Sequence, residues 1–424
     1  MAKTAVAEYS LTTPQRVVRG ALMNIPPEEL LARRGRQRAC RLLVAWAALL
    51  VIIFAFVLRA FHIGQAPGDI APEAAGAPAR PPYREVDFAV GRGYLGEGWR
   101  VYFNEPDASV DRADYADGMD SALAGAIDAA ADTLDIAAFE LNSDPIQAAI
   151  ARATDRGVRV RIVADDEHGL YDSRNPHLHV LAQLGTEVRD DGRSALMHNK
   201  FAIIDSVAVW TGSWNFTVNG TYRNNNNILV LESAAAVYAF QAEFDEMFER
   251  AEFGGRSTDE GIVEFDHAGG EVRVIFAPEA DEISALIAEI ESAAQSIRFM
   301  TFVFSLDELA AAMLNQAASR EVSIQGVFEH RNSTASWSQL PALHCAGAAV
   351  RQDGNRYILH HKVIIIDDHT VITGSFNFSR SAANKNDENI VIIRHAAIAE
   401  LYLQEWRRVW DSAEELAPGD VVCD

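Results

Sequence analysis

The stretch MHNKFAIIDSVAVWTGSWNFT, residues 197–217, returns without a gap as LHHKVIIIDDHTVITGSFNFS, residues 359–379. The separations 360 − 198 and 377 − 215 are both 162, and every chemically distinctive position between them keeps that offset. Self-similarity of this length marks a duplicated unit. Weaker similarity extends upstream, pairing an apolar strand around Val101 with one around Val274, and a helix from Met119 with one from Ile283. TLDIAAFEL, residues 133–141, matches SIRFMTFVF, residues 296–304, as a buried strand. PIQAAIARATDRGVRVRIVAD (145–165) matches ELAAAMLNQAASREVSIQGVFE (308–329) as helix then strand. Strands alternating with helices predict α/β layers, mostly parallel. The fold expected is two tandem α/β/α units, residues 99–253 and 271–412, joined by a linker over 254–270 and followed by a short tail, 413–424. Two copies imply a pseudo-twofold axis, across which equivalent residues can meet.

Each copy reads H-x-K-x4-D-x6-G-S-x-N: His198, Lys200, Asp205, Gly212, Ser213 and Asn215, then His360, Lys362, Asp367, Gly374, Ser375 and Asn377. His and Lys two apart on a strand share a face, and the runs FAII and VIII carry that strand into a core. A hairpin turn centred between residues 206 and 207 sets Lys200 opposite Ser213 and His198 opposite Asn215, with the same register in the second copy. One patch per unit then presents imidazole, ammonium, hydroxyl and amide, and the pseudo-twofold joins two patches into one site. Trp214 and Phe376 point the other way, into the core. His361 also faces away from His360 on its strand, and His177, His267, His344 and His395 have no counterpart in the other copy.

This doubled pattern resembles the HKD signature of the phospholipase D superfamily, over most of the chain after residue 98. The resemblance implies a single site for phosphodiester chemistry without metal or cofactor. One histidine attacks phosphorus to give a covalent phosphohistidine and the other protonates the leaving alcohol. Lys200, Lys362 and the donors Ser213, Asn215, Ser375 and Asn377 bind phosphate oxygens. Asp205 and Asp367 are candidates for chemistry and equally for turn formation, since Asp at a strand end commonly closes a turn.

The copies differ downstream, where NKNDENIVI aligns with YRNNNNILV and sets Glu388 opposite Asn226. In the resembling family an acidic residue at this place orients the catalytic histidine. A carboxylate beside an imidazole raises its pKa, whereas an amide orients without charge. The expectation is that Glu388 serves His360, making it the resting general acid, and that Asn226 orients His198, the nucleophile.

Other features bear on where the chemistry happens. The net charge is −23, but residues 1–60 hold nine Lys/Arg and three Asp/Glu, leaving −29 for the rest. An acidic body repels long polyanions, so phosphate must be held by a local basic cluster. Leu42–Leu58 is uncharged and apolar, long enough for a spanning helix extended by snorkelling of Arg59. Basic residues precede it, so segment 1–41 is expected in the cytoplasm, 42–61 as the span, 62–98 as a Pro/Ala-rich tether, and the body on the exoplasmic side of the plasma membrane. A cleaved signal peptide is the alternative. Among the three cysteines, Cys345 and Cys423 fall on one side of that membrane and can form a disulfide or stay as separate thiols. A phospholipid is the favoured substrate; DNA or RNA, transfer to an alcohol as in a cardiolipin synthase, and a catalytically silent binding module are the alternatives. Both motifs in one chain make a monomer sufficient.

Overall fold

The computed structural model describes residues 81–106, 115–173, 176–256 and 261–423, all within one unit, Arg80–Asp424. Among the described residues no helix is long and apolar enough to cross a membrane; the run Leu42–Leu58 lies outside them.

Two nine-stranded sheets mirror the sequence repeat. The first holds β1 (Tyr83–Phe88), β2 (Gly91–Gly96), β3 (Trp99–Phe103), β4 (Thr133–Ala138), β5 (Arg159–Ala164), β6 (Glu187–Asp190), β7 (Lys200–Ile204), β8 (Ala208–Gly212) and β9 (Asn227–Leu231) in the order β1-β2-β3-β9-β8-β7-β4-β5-β6. The second holds β10 (Ile262–His267), β11 (Gly270–Ala277), β12 (Ser296–Thr301), β13 (Ser323–Phe328), β14 (Ala349–Gln352), β15 (Lys362–Ile366), β16 (Thr370–Gly374), β17 (Glu388–Arg394) and β18 (Glu414–Glu415) in the order β10-β11-β17-β16-β15-β12-β13-β14-β18.

The sheets are mixed rather than mostly parallel. Only β4-β5-β6 and β12-β13-β14 run parallel, because only these strands are joined by crossover helices, Asp144–Asp155 and Asp307–Arg320 among them. Residues assigned to tether and linker also contribute strands: 83–96 form the β1–β2 hairpin, and β10 pairs with β11. The tail adds β18 to β14.

Alternation along the strands assigns their faces. Phe201 and Ile203 point inward with Val363 and Ile365, into a core shared by both sheets and by helices Ala234–Asp245 and Ala396–Ser412, which supply Phe240, Phe244, Tyr402 and Trp406. Ala202 and Ile204 point outward against helices Met119–Ala129 and Asp144–Asp155, and Ile364 and Ile366 do the same in the second repeat. Each buried aromatic of the central layer contributes roughly 2–3 kcal/mol, so the two repeats form one structural body.

The motif hairpins sit one residue off the expected register. Phe201 pairs with Thr211 and Ile204 with Ala208; Ile364 pairs with Ile372 and Ile366 with Thr370. The turns therefore centre on Ser206 and Asp368, and Lys200 comes opposite Gly212 rather than Ser213. The cause is a pair of left-handed residues in each turn, Asp205 and Ser206 (φ 51° and 52°) and Asp367 and Asp368 (φ 51° and 56°). They close a tight turn, with Val207 N donating to Ile204 O at 2.9 Å, and leave one extra residue before the ladder starts.

Candidate active site

The strands carrying the histidines begin against the opposite repeat. His198 N donates to Asp387 O (3.0 Å), and His360 N donates to Asn225 O (2.9 Å). Short parallel bridges, Met197 with Asp387 and Asn225 with Leu359, flank these bonds. The pseudo-twofold axis passes between them and brings His198, Lys200, His360 and Lys362 together, all buried. Each ammonium donates to the carbonyl of its own histidine, Lys200 Nζ to His198 O at 2.5 Å and Lys362 Nζ to His360 O at 2.8 Å. Each also lies over an aromatic ring, Phe139 at 5.0 Å and Phe302 at 4.9 Å, and the same rings contact the imidazoles of His198 and His360.

The orienting residues cross over. Glu388 does not meet His360; its Oε2 accepts from His198 Nδ1 at 2.7 Å. Asn226 does not meet His198; its Oδ1 accepts from His360 Nδ1 at 2.9 Å, beside Ser213 O at 3.0 Å. The Asn226 amide is fixed in that sense because its Nδ2 donates to Gly220 O. The expected pairing within each repeat is thereby corrected: each repeat supplies the histidine of one dyad and the orienter of the other. In both rings the Nδ1 proton is committed and Nε2 is left for chemistry.

The serines stand behind these orienters. Ser213 Oγ donates to Asn226 Oδ1 (2.9 Å) and accepts from Asn227 N (3.1 Å). Ser375 Oγ donates to Glu388 Oε2 (2.7 Å) and accepts from Asn389 N (2.9 Å). Both are fully buried, so their hydroxyl protons steady the histidine partners and are not offered to phosphate. The motif glycines make this possible. Gly212 (φ 142°) and Gly374 (φ 139°) pass so close to the next strand that a Cβ would lie 2.3 Å from Asn227 O or Asn389 O. Asn215 and Asn377 are half-buried, each with an Oδ1 that is buried and unpartnered; Asn215 Nδ2 donates to Glu140 Oε2 at 3.3 Å.

Asp205 and Asp367 are elsewhere. From Lys200 to Asp205 the strand runs about 16 Å, and Asp205 accepts from the backbone N–H groups of Ala131, Asp132 and Thr133 at 2.7–2.9 Å. Asp367 does the same with Ala294, Gln295 and Ser296 at 2.6–2.9 Å. Both anchor a turn to the neighbouring strand's start and take no part in the site.

Burial governs the protonation of the cluster. It pushes His198 down to about 4, against the pull of Glu388, and Lys200 down to about 8. It also carries His360 and Lys362 well below their ordinary values, where the neighbouring ammoniums push in the same direction. Burial alone would raise Glu388, but His198, Lys200 and the Ser375 hydroxyl outweigh it and keep the carboxylate ionised. A buried cluster of two imidazoles and two lysine amines, with Glu388 as its carboxylate, is suited to a phosphate anion, whose charge favours the protonated form of all four.

Several residues here escaped the motif reading. Asn199 Nδ2 donates to Glu243 Oε1 (2.8 Å), and Asn389 Nδ2 to Asn199 Oδ1 (2.7 Å). In the other repeat His361 takes the place of Asn199, bonded to Glu405 Oε1 (3.0 Å) and fully buried. Asn227 and Asn389 reach across to Thr373 and Thr211 at 2.7 Å each. All these pairs keep the offset of 162, the signal that could have exposed them. Phe139 and Phe302, offset by 163, were hidden among apolar strand residues. Among the described residues two carboxylate triplets could hold a cation, Asp165/Asp166/Asp191 and Glu243/Glu246/Glu279; neither includes a motif residue.

The family model described as "Cardiolipin synthase, PLD-like domain" matches residues 123–248 and again 286–410, together more than half of the chain. A phospholipase D of Rickettsia prowazekii is 37% identical over 135 residues, 32% of this chain and 65% of that protein. A mitochondrial cardiolipin hydrolase of Xenopus tropicalis is 36% identical over 127 residues, 30% of this chain and 60% of that protein. The chain thus spans less than two thirds of the length of these relatives. Among solved structures, phosphatidylserine synthase of Haemophilus influenzae superposes with a TM-score of 0.55 at 11% identity, covering 70% of this chain and 85% of its own, a likeness of fold. With the family model matching once in each repeat and both HKD motifs converging on one buried cluster, the chain belongs to the phospholipase D-like domain family.

Proposed function

We propose that the chain is a phospholipase D-type phosphodiesterase that hydrolyses a phospholipid head-group ester through a phosphohistidine on His198. The observation that carries this is the crossed pair of dyads, which leaves two imidazole Nε2 atoms and two lysines for one phosphate. In the first step His198 Nε2 attacks phosphorus while the bond to the leaving alcohol breaks, and the Nε2 proton of His360 passes to the leaving oxygen. Lys200, Lys362 and the Asn215 and Asn377 amides hold the remaining oxygens. In the second step His360 takes a proton from water, the water oxygen attacks phosphorus, and the P–N bond breaks to return His198.

The crossed pairing sets the roles of the two histidines through the charge beside His198, not through a carboxylate beside His360. Phosphorylation at Nε2 leaves the His198 ring cationic, and Glu388 at Nδ1 neutralises that charge. His360 faces only uncharged acceptors, so its imidazolium gives up a proton readily. His198 as nucleophile follows from Glu388 being its partner.

A lipid substrate is supported by the phospholipase D and cardiolipin hydrolase relatives and by the acidity of the body, which disfavours long polyanions. Leu42–Leu58 as a single span, with the N-terminus cytoplasmic and a monomeric body on the exoplasmic side, is part of the same proposal. The disulfide between Cys345 and Cys423 supports an oxidising compartment. The test is to incubate the full chain with phosphatidylcholine, cardiolipin and single-stranded DNA or RNA beside a His198→Ala control. Phosphatidic acid or its analogue is expected from lipid. Nucleotide release without lipid turnover overturns the substrate class, and rapid quench that maps the adduct to His360 overturns the roles.

A further inference from the structure

Five residues before each histidine stands a side chain that the motif does not include: Arg193 in the first repeat and Asn355 in the second, again separated by 162. Their chemistry differs, yet their acceptors correspond one for one. Arg193 donates to Lys385 O (3.1 Å) and Leu196 O (3.3 Å) and pairs with the Asp387 carboxylate. Asn355 Nδ2 donates to Arg223 O (2.9 Å), Ile358 O (3.4 Å) and Asn225 Oδ1 (2.5 Å). Each acceptor set draws one carbonyl from the residue's own repeat, two positions before the histidine, and two groups from the other repeat.

The acceptor residues matter for what they hold in turn. Asp387 O receives His198 N, and Asn225 O receives His360 N. Asp387 N donates to Leu196 O, and Asn225 N to Ile358 O, both at 2.9 Å. Asp387 and Asn225 also directly precede the histidine orienters Glu388 and Asn226. A single side chain therefore sets a histidine's backbone and its orienter against each other across the repeat boundary. We infer that Arg193 and Asn355 are positioning residues, the first latching the His198–Glu388 dyad and the second the His360–Asn226 dyad.

The difference in chemistry follows the difference in dyads. Asp387 and Glu388 are adjacent, buried carboxylates, and like charges so placed repel. The Arg193 guanidinium balances Asp387 and leaves Glu388 free to serve His198. Asn225 and Asn226 carry no charge, and a neutral amide is a sufficient latch for them.

This inference rests on His198 as nucleophile and His360 as general acid, and the test separates the two. The full chain is assayed with two phosphodiesters that share one retained group, one losing p-nitrophenolate and the other a primary alcohol. Departure of p-nitrophenolate needs little proton donation, so a misplaced acid is felt chiefly with the alcohol. Asn355→Ala is expected to lower the single-turnover rate of leaving-group release about tenfold or more with the alcohol and less than about threefold with p-nitrophenolate. Arg193→Gln is expected to lower kcat about tenfold with both, at little change in KM. Arg193→Lys recovers part of that loss, because an ammonium keeps the charge but not the fork. Asn355→Gln and Arg193→Lys give the same comparison if the larger changes prevent folding, which thermal unfolding of the same samples reports.

Long-range proton–nitrogen spectra of the imidazoles supply a readout that needs no turnover. Arg193→Gln is expected to move the His198 signals and leave His360, and Asn355→Ala the reverse. If the unmodified chain cleaves neither diester while the spectra respond in this way, the phosphodiesterase reading fails and the latches stand. If both variants lose activity equally with both leaving groups, or if each moves both histidines or neither, the latch assignment is overturned.

Discussion

At the scale of single residues, the contact between His198 and Glu388 decides how the two histidines differ. A carboxylate 2.7 Å from Nδ1 fixes the tautomer that exposes an Nε2 lone pair. Glu388→Gln keeps the hydrogen-bonding shape but removes the charge that balances a phosphorylated ring, and kcat is expected to fall about a hundredfold; a loss below threefold contradicts the role. The complementary change, Asn226→Asp, puts a charge beside His360. In the free site burial and both ammoniums hold His360 well below its ordinary value, so kcat/KM with an alcohol leaving group falls as pH rises, on a limb that lies below the ordinary histidine range. A new carboxylate raises the proton affinity of His360 and moves that limb about one unit toward higher pH. A limb that stays put, or moves down, excludes His360 as the acid. All four dyad residues were legible as a set because they recur at one offset. Which orienter serves which histidine was not legible, since the crossing arises only when the repeats dock.

At the scale of elements, the motif hairpins divide into a chemical end and a structural end. Asp205 and Asp367 close the structural end, each accepting three backbone N–H groups. Asp205→Ala is expected to cost about 2 kcal/mol of stability with kcat and KM unchanged, a split that denaturant unfolding and kinetics on one sample can check. Ser206, left-handed at φ 52°, is a place where glycine relieves strain, and Ser206→Gly is expected to raise the unfolding free energy by about 1 kcal/mol; a lower value contradicts the turn geometry. Period-two alternation and the fixed H-x-K spacing made these strands readable. The register was missed because Asp-Ser and Asp-Asp lack the glycine that announces a left-handed pair. The β1–β2 hairpin was missed because a proline-rich stretch runs directly into it.

At the scale of the whole molecule, buried carboxyls set the response to pH. Burial pushes Glu282 and Asp353 up to about 7 and Glu279 up to about 8. The folded chain holds protons near pH 6 that an unfolded chain, with carboxyls near about 4, has released. Their contribution is lost as pH rises through 7. His198, pushed down to about 4, works in the other direction, but only below about 6.5. Unfolding free energy is therefore expected to be lower near about pH 7.5 than near about pH 6, and the reverse order in denaturant titrations counts against these burials. The Cys345–Cys423 bond closes 78 residues, and its reduction is expected to lower stability by about 4 kcal/mol. Sequence allowed a bond between these two cysteines but could not set their distance, which depends on the tail returning beside β14.

The crossed dyads also put the chemistry under a timetable. A ribosome delivers His198 and Lys200 long before it reaches Glu388, and for that interval the first repeat holds an imidazole with no carboxylate to orient it and no second histidine to protonate a leaving group. On the proposed mechanism a nascent chain is thus inert toward phosphodiesters while it emerges. The site is completed only when β17 docks, so the proposed activity arises after the second repeat has folded onto the first.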